Sequence, residues 1–373
     1  MKTKLIFILA MLPLVASADD GGSCGENVSW HYVESTKILT ISGTGKMDDL
    51  SQYNRPWGNY VEDIAHVIIK DGVKSIGKSA FMHCKSLNSV NIGDSVKIIG
   101  FDAFLGCHSL TSVKMGKSVE MIVNGAFTWC DALTSITLPE SLTSIDDKAF
   151  NYCKSLTSIT IPKNVRRIGT EVFAECPNLA TIKVDPENEI LDSRENCNAI
   201  IHTWDNILVT GCKNSTIPNG VTGIASGAFA GCCYMTSITI PSSVTRIGGS
   251  AFSGCNGLSN VYCYAEEVPQ TDSYAFSTNV EFDTLHVPEA SISAYKADKQ
   301  WSVFFKTVAL ENETKPVKGN LNGDDVVDSR DLLMLLDMIT GKLEVTAAAD
   351  VNGDGKVDVA DVVKLVSIMI GKE

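Results

Sequence analysis

The sequence has few basic residues, few aromatic residues and no apolar run of full membrane-spanning length. Of its 373 residues, 31 are Lys or Arg and 44 are Asp or Glu, which gives a formal net charge of -13. This charge excludes non-specific nucleic-acid binding, because such binding needs basic faces that replace phosphate counterions. It also disfavours an anionic membrane surface as a partner. Aromatic residues make up 7%, against 29 Gly, a composition that favours short strands and tight turns over a compact helical enzyme.

Catalytic motifs are also missing. The chain contains no G-x-S-x-G, H-E-x-x-H, P-loop or dinucleotide-binding motif. None of the His residues has a partner at metal-ligand spacing; they are His31, His66, His83, His108, His202 and His286. Acidic residues are plentiful, so the sequence leaves a catalytic carboxylate pair open. We nevertheless predict that the protein is not an enzyme, and we expect no catalytic residues.

The N-terminus has the pattern of an export signal. Lys2 and Lys4 precede an apolar run, Leu5–Val15, which is too short to span a bilayer. Ala16-Ser17-Ala18 then supplies the small residues that signal peptidase reads. We predict cleavage after Ala18 and a secreted or extracellular mature protein. An uncleaved anchor and a lipid anchor at Cys24 are the less favoured alternatives.

The middle of the chain repeats with a period of 23 residues. Leu87-Asn-Ser-Val-Asn-Ile returns as Leu110-Thr-Ser-Val-Lys-Met, Leu133-Thr-Ser-Ile-Thr-Leu and Leu156-Thr-Ser-Ile-Thr-Ile. Each segment alternates apolar and polar residues, which predicts a short strand. A single unit cannot bury its own apolar edge, but stacked units share one continuous core. The pattern therefore predicts a repeat solenoid, built mostly of short strands and turns.

A Phe keeps step with the repeat, and a Cys usually follows three residues later. The Phe residues are Phe81, Phe104, Phe127, Phe150, Phe173, Phe229, Phe252 and Phe276. The Cys residues are Cys84, Cys107, Cys130, Cys153, Cys176, Cys232 and Cys255. Neighbouring coils would place equivalent Cys side chains about 4.8 Å apart and parallel, which suits neither a disulfide nor a tetrahedral zinc site. We therefore predict a ladder of buried thiols beside a ladder of Phe rings.

The repeat pattern resembles that of the BspA-like leucine-rich repeat proteins, from about Ile64 to Cys255. Gly43-Thr44-Gly45 with Pro56-Trp57, and Leu285-His-Val-Pro with Tyr295 and Trp301, resemble the N- and C-terminal caps of that family. The resemblance implies an α/β-type repeat solenoid and adhesion to host proteins or other cells. A fold does not fix a ligand, so the solenoid's ligand, protein or glycan, stays open.

Two surfaces of the solenoid attract attention. The first is an insertion between Phe173 and Phe229, where residues 198–210 read as a hairpin projecting from the solenoid. Cys197 and Cys212 flank it, so a disulfide and two buried thiols are both open. The second is the outward face of the strands. It either binds a ligand or only keeps the surface of the protein polar and soluble. Its residues are Ser112, Lys114, Ser135, Thr137, Ser158, Thr160, Thr181, Lys183, Ser237 and Thr239.

The C-terminus contains two related acidic loops. Residues 320–343 and 350–373 match at nine of 24 positions when aligned at an offset of 30. A twelve-residue calcium loop supplies oxygen ligands from positions 1, 3, 5, 7, 9 and 12. In the second loop these are Asp350, Asn352, Asp354, the carbonyl of Lys356, Asp358 and Asp361. In the first loop they are Asn320, Asn322, Asp324, the carbonyl of Val326, Asp328 and Asp331.

The first loop departs from the pattern at two positions. Asn320 replaces a charged residue at position 1, and Asp325 replaces the Gly that favours the sharp turn at position 6. We therefore predict two Ca²⁺ sites, with the weaker affinity in the first loop. An apolar helix follows each loop, starting near Leu332 and Val362.

These traits resemble the type I dockerin family. The resemblance covers residues 319–373 and implies calcium binding together with a cohesin-like protein partner. Residues at loop positions 10 and 11 often contact that partner in the family, and here they differ between the halves: Ser329-Arg330 against Val359-Ala360. Residues 319–373 hold eleven acidic and five basic residues, so we expect this small module to fold poorly without calcium.

Together these patterns predict the domain organisation and the function of the chain. The segments are a signal peptide at 1–18, an N-terminal cap at 19–63, the solenoid at 64–257 with its hairpin insertion at about 185–215, a C-terminal cap at 258–310, a linker at 311–318 and a small α-helical, calcium-binding, dockerin-like domain at 319–373. The predicted function is that of an exported, non-catalytic binding protein. The alternatives are an accessory component of a polysaccharide-degrading dockerin–cohesin complex and, last, a glycoside-active enzyme.

Overall fold

The computed structural model describes residues 20–276, 282–310, 321, 327–343, 349–352 and 356–370. The predicted signal peptide and the linker at 311–318 lie outside them. The chain divides into two compact units, and the boundary between them in the sequence falls between Val308 and Ala309. In the described ranges, no helix is both long and apolar enough to cross a bilayer.

The solenoid begins with an antiparallel sheet that becomes parallel. Strands β1 (Asp20–Gly25), β2 (Val28–Val33) and β3 (Ile38–Gly43) form an antiparallel meander. From β3 onward the strands pair in parallel, one per coil: β4 (His66–Ile69), β6 (Ser89–Ile92) and β8 (Ser112–Lys114). A 3₁₀ helix, Gly58–Tyr60, lies between β3 and β4. The register pairs Ser89 with Ser112, so the sequence period of 23 is the length of one coil.

The returning arc of each coil forms a second parallel sheet of two-residue strands. Its members pair in the order β12 (Arg167–Ile168), β10 (Ser144–Ile145), β9 (Met121–Ile122), β7 (Ile98–Ile99) and β5 (Ser75–Ile76). On the first side of the solenoid, β11 (Ser158–Ile161) pairs in parallel with β13 (Thr181–Val184). The sheet of the returning arc and the sheet on the first side enclose the apolar interior between them.

The insertion is a hairpin that belongs to the solenoid wall, so the predicted projection is wrong. Strand β15 (Ile200–His202) pairs antiparallel with β16 (Ile207–Thr210) and with β14 (Leu191–Asp192). Strand β16 then pairs in parallel with β17 (Gly223–Ile224), followed by β19 (Arg246–Ile247) and β21 (Gln270–Thr271). The hairpin stays in the wall because its apolar residues are buried, Ile200, Ile201 and Leu208 among them. A 3₁₀ helix, Arg194–Asn196, precedes it.

The last coils of the solenoid lead into a segment that contains both strands and short helices. Strands β18 (Ser237–Ile240), β20 (Asn260–Cys263), β22 (Phe282–Val287) and β23 (Phe304–Ala309) neighbour one another in that order. A 3₁₀ helix, Glu289–Ser291, and helix α1 (Ile292–Ala297) lie between the last two. The second unit contains α2 (Ser329–Ile339) and α3 (Val359–Met369).

Stacked Phe rings line the interior in two series. Neighbouring rings from Phe81 to Phe173 lie 5.2 to 5.7 Å apart between centroids and nearly parallel, and those from Phe229 to Phe276 lie 5.2 Å apart. Trp57 covers the first ring of the first series at 5.5 Å, and Trp301 lies 4.8 Å from Phe276, the last ring of the second. Both indoles are fully buried, so aromatic residues of the two caps cover the outer ends of the two series.

The repeat cysteines are buried thiols, as the ladder interpretation predicts. The thiol of Cys107 donates a hydrogen bond to the carbonyl of Phe81 at 3.2 Å, and Cys130 and Cys153 repeat the contact one coil further each time. Burial raises the pKa of Cys84 and of Cys153 to about 12. A thiol with so high a pKa is a poor nucleophile and a poor metal ligand.

The disulfide considered for the hairpin is absent. Cys197 and Cys212 are both free and buried. Their thiols donate to separate backbone carbonyls, that of Ala199 for Cys197 and that of Asn198 for Cys212. The two buried thiols, not the disulfide, are the correct interpretation.

Candidate functional site

The two C-terminal helices begin in the same way. Asp358 is the N-cap residue of α3, and its carboxylate accepts a hydrogen bond from the backbone N–H of Ala360 at 2.7 Å. Asp361, three residues later, accepts in return from the N–H of Asp358 at 2.8 Å. This reciprocal pair is a capping box, which satisfies N–H groups that a helix start leaves free. It explains why each acidic loop passes directly into a helix.

The last acidic residue of each loop is fully buried and reaches back across the loop. Asp361 accepts a second hydrogen bond from the N–H of Asn352 at 3.0 Å. In the first half, Asp331 is equally buried and accepts from the N–H groups of Leu321 at 2.6 Å and Asp328 at 2.9 Å. The carboxylate at position 12 therefore lies against the backbone of position 3 in the second loop and of position 2 in the first. A loop that surrounds one ion needs its two ends this close together.

The described part of each loop brings some of the predicted ligands together. Asn352, Asp358 and Asp361 are brought together by the bonds above, and Asp350 and Lys356 lie in the same loop. Asp328 and Asp331 are brought together in the first loop. The other predicted ligands lie outside the described residues; they are Asn320, Asn322, Asp324, Val326 and Asp354. Oxygen donors suit a hard cation, so calcium binding by the two loops stays a prediction.

The two loops differ in the surroundings of position 9. The guanidinium of Arg330 lies 2.8 Å from the carboxylate of Asp328, and these hydrogen bonds lower the pKa of Asp328. In the second loop the equivalent neighbour of Asp358 is Ala360, which carries no charge. The sequence drew attention to Arg330 as a partner-contact position but did not reveal this ion pair. Arg330 thus places a cation beside Asp328 that the second loop lacks beside Asp358.

The module's own core is small. Among the residues of the module that the structure describes, the buried apolar ones are Leu335, Met338, Ala349, Val351 and Leu365. Other apolar side chains on the helices are exposed instead, among them Leu333 on α2 and Val359 and Val363 on α3. The helical periodicity of α3 could have revealed the two Val residues in the sequence, because they lie on the face opposite the buried Leu365.

The strand face of the solenoid is polar, as predicted. Ser158 and Thr160 point outward from β11, while Ile159 and Ile161 between them are buried. Across the described ranges, His, Cys, Asp and Glu residues form no group of three or more suited to a metal ion. The ten residues predicted for this face include no aromatic one, but Tyr262 lies beside Thr239 on the next strand of the same face and stacks on His286 at 4.3 Å. The exposed aromatic side chains occur elsewhere, notably Trp129 and Trp204.

Comparison with known proteins agrees with both parts of this architecture. The family model for the BspA type leucine rich repeat region matches residues 60–199 and 209–314 in six copies, and that for the dockerin type I domain matches 318–368. No curated protein matches the chain.

Solved structures share the repeat fold. A leucine-rich repeat protein from Eubacterium ventriosum is 23% identical, with a TM-score of 0.59 over 79% of this chain and 85% of that one. A leucine rich cell surface protein from Faecalibacterium prausnitzii is 24% identical, with a TM-score of 0.49 over 80% and 96%. The first of these likenesses shows the fold alone. On the family matches, the chain belongs to the BspA-type leucine-rich repeat proteins and carries a C-terminal type I dockerin domain.

Proposed function

We propose that this is an exported, non-catalytic binding protein of the bacterial cell surface. Its dockerin domain binds calcium and docks to a cohesin-like protein, while its solenoid recognises a protein or glycan ligand. Both matched families are typically non-catalytic binding modules. The export step rests on the N-terminal pattern at residues 1–18.

The observation that carries the docking proposal is an exposed apolar stripe on α3. Val359, Val363, Val366 and Ile370 follow one another at helical spacing, so they share one face. All four are exposed; Val363 is 66% accessible. A row of apolar side chains that the domain's own core leaves uncovered is typical of an interaction surface.

The matching positions on α2 are less apolar. They are Ser329, Leu333, Leu336 and Thr340, thirty residues earlier in each case. Only the two Leu residues offer apolar surface there, and they are exposed. The α3 face is therefore the primary docking surface, and the two halves do not support two equivalent binding modes.

Calcium would be held by the carboxylate, amide and carbonyl oxygens of the two loops, including Asp350, Asn352 and Asp361. When bound, it would balance the excess of carboxylates in these acidic loops. The chain's own contribution is to fix each position-12 carboxylate through two backbone N–H groups, which ties the loop to the first turn of the helix. The docking helices should be ordered fully only with calcium present.

The test is capture of a partner by the full chain from envelope and culture fluid of the parent cells, in calcium and in chelator. We expect a cohesin-containing protein, identified by mass spectrometry, that is captured only with calcium. Val363→Asp should abolish capture, while Leu333→Asp, its matched control on α2, should weaken it much less. Absence of a cohesin among the captured proteins in both conditions would refute docking and leave the dockerin domain as a stabilising tail.

The alternative is an accessory component of a polysaccharide-degrading complex. The dockerin match itself favours assembly into some larger complex, and the two functions are compatible. They differ in what the captured cohesin carries. A scaffold that also carries glycoside-active subunits would favour the accessory role, and a cell-wall anchor without such subunits would favour the adhesin.

A further inference from the structure

The last strand of the solenoid has a free edge with a groove along it. Within the described residues, β23 neighbours β22 and no other strand, so it ends its sheet. A cavity of about 400 Å³ is lined by five consecutive residues of this strand, from Phe304 to Val308, and by Lys296 and Ser302. Successive side chains of a strand point to opposite faces, so a cavity on one face would meet alternate residues. Contact with every residue in turn places the groove along the edge of β23.

The groove carries positive charge that no carboxylate compensates. Lys296 and Lys306 line it, and none of the described residues that line it is Asp or Glu. Neither lysine has an ion pair within the described part of the chain. Two other cavities of the solenoid each contain an ion pair instead; the pairs are Arg246–Asp272 and Arg194–Asp192. In a chain with a net charge of -13, this groove is a local exception, and its charge favours an anionic ligand.

An exposed aromatic ring lies beside this charge, on a strand that is held in place. Phe304 is buried in the C-terminal cap, where its ring centroid lies 5.1 Å from that of Phe276. The next residue, Phe305, points away from that core and is 77% exposed. Nζ of Lys306 lies 5.8 Å from the centroid of the Phe305 ring. The groove therefore offers apolar surface and positive charge on a strand whose position is fixed before any ligand binds.

These features select an extended polypeptide with acidic side chains. The N–H and C=O groups along a free strand edge are satisfied as a set by another strand, because only a polypeptide backbone repeats their alternation. Symmetric pairing with a second copy of this chain would bring the two Lys306 side chains together, and like charges on paired strands repel. We propose that the edge of β23 binds an extended acidic segment of a partner protein as an added strand, with its carboxylates at Lys296 and Lys306. This rests on the proposed function, since it names the class of ligand that the solenoid recognises.

The test is fluorescence anisotropy of the full chain, in chelator, with labelled ten-residue peptides. A peptide that alternates Glu and Val should bind, and one that alternates Lys and Val should not. The acidic peptide with all its backbone nitrogens methylated keeps its charge but has no N–H donors, and it should bind about tenfold more weakly. Lys306→Glu should weaken binding of the acidic peptide about tenfold with an unchanged thermal midpoint. Lys114→Glu is the matched control, because Lys114 is also exposed on a strand but does not line the groove, and it should bind like the wild type.

Five outcomes would overturn the proposal. The acidic peptide could bind no better than the basic one, or no better than its methylated form, which would leave no role for the strand edge. Binding of polygalacturonate but of no peptide would assign the groove to an acidic glycan. A dimer in sedimentation velocity that Phe305→Asp disrupts would make a second copy the occupant. Peptide binding that appears only in a Glu311→Gln, Glu313→Gln variant would make the chain's own linker the occupant. The groove contains no predicted calcium ligand, so a failure of cohesin capture would leave this result untouched, and the two proposals fail independently.

Discussion

Replacement of Asp361 by Ala tests whether the position-12 carboxylates hold the dockerin domain together. Asp361 is fully buried and accepts hydrogen bonds from the N–H groups of Asn352 and Asp358. Hydrogen bonds to a charged group contribute about 1.5–3 kcal/mol each, so the loss is about 3–6 kcal/mol. A core as small as that around Leu365 rarely supplies more than about 3–5 kcal/mol. The variant domain should therefore be largely unfolded without calcium.

The assay has two readouts on the full chain. Helices α2 and α3 provide most of the helical circular dichroism, so the signal at 222 nm should fall in Asp361→Ala and recover only partly with calcium. Isothermal titration should show the second-loop affinity reduced at least 100-fold, since a loss of about 3 kcal/mol exceeds a factor of 100.

Asp337→Ala is the control for this prediction. It removes the same charge from an exposed ion pair with Lys342, 3.0 Å apart, and exposed pairs contribute little. If Asp361→Ala binds calcium as tightly as Asp337→Ala, the carboxylate does not act as the structure indicates and the reasoning is wrong.

Three further predictions concern other parts of the chain. Arg330→Ala should strengthen calcium binding by the first loop, because it removes the cation beside Asp328; a titration that resolves two sites would show this, and an unchanged weaker site would contradict it. Phe127→Ala should destabilise the solenoid by about 3–5 kcal/mol, since the ring is buried between two others; urea unfolding measures it, and a change below about 1 kcal/mol would contradict the stacked column. Burial raises the pKa of Cys84 from 9.0 to about 12, so its stabilising contribution is complete below about pH 9 and disappears as pH rises toward 12; the urea midpoint should fall between pH 8.5 and 11, and a Cys84→Ala variant should show a smaller fall.

Much of the solenoid could be predicted because the period of the sequence equals the length of one coil. A coil of 23 residues must place Leu87, Leu110 and Leu133 at equivalent points of one core, and all three are buried. The hairpin could not be placed in the same way. Its strands pair antiparallel on one side and parallel on the other, and only the burial of Ile200 and Leu208 shows that it lies in the wall.

The candidate sites, too, could be predicted from the sequence only in part. The two acidic loops of the dockerin domain could be recognised because coordination chemistry fixes which positions of such a loop carry oxygen ligands, and calcium binding itself stays a prediction. The contact of Arg330 with Asp328 could not, since a two-residue separation does not reveal a side-chain conformation.

The two units also differ in what stabilises them, and this bears on how the protein would respond to calcium. The solenoid's stability is approximately a sum over coils and their interfaces, and its Phe column and thiol ladder involve no metal ligand. The dockerin domain has a small core and two buried carboxylates, Asp331 and Asp361, in loops that hold more acidic than basic residues. Calcium removal should therefore unfold the docking unit and leave the solenoid intact. A protein built in this way would lose its attachment to a partner while it keeps its ligand, so that ligand binding measured in chelator reports on the solenoid alone.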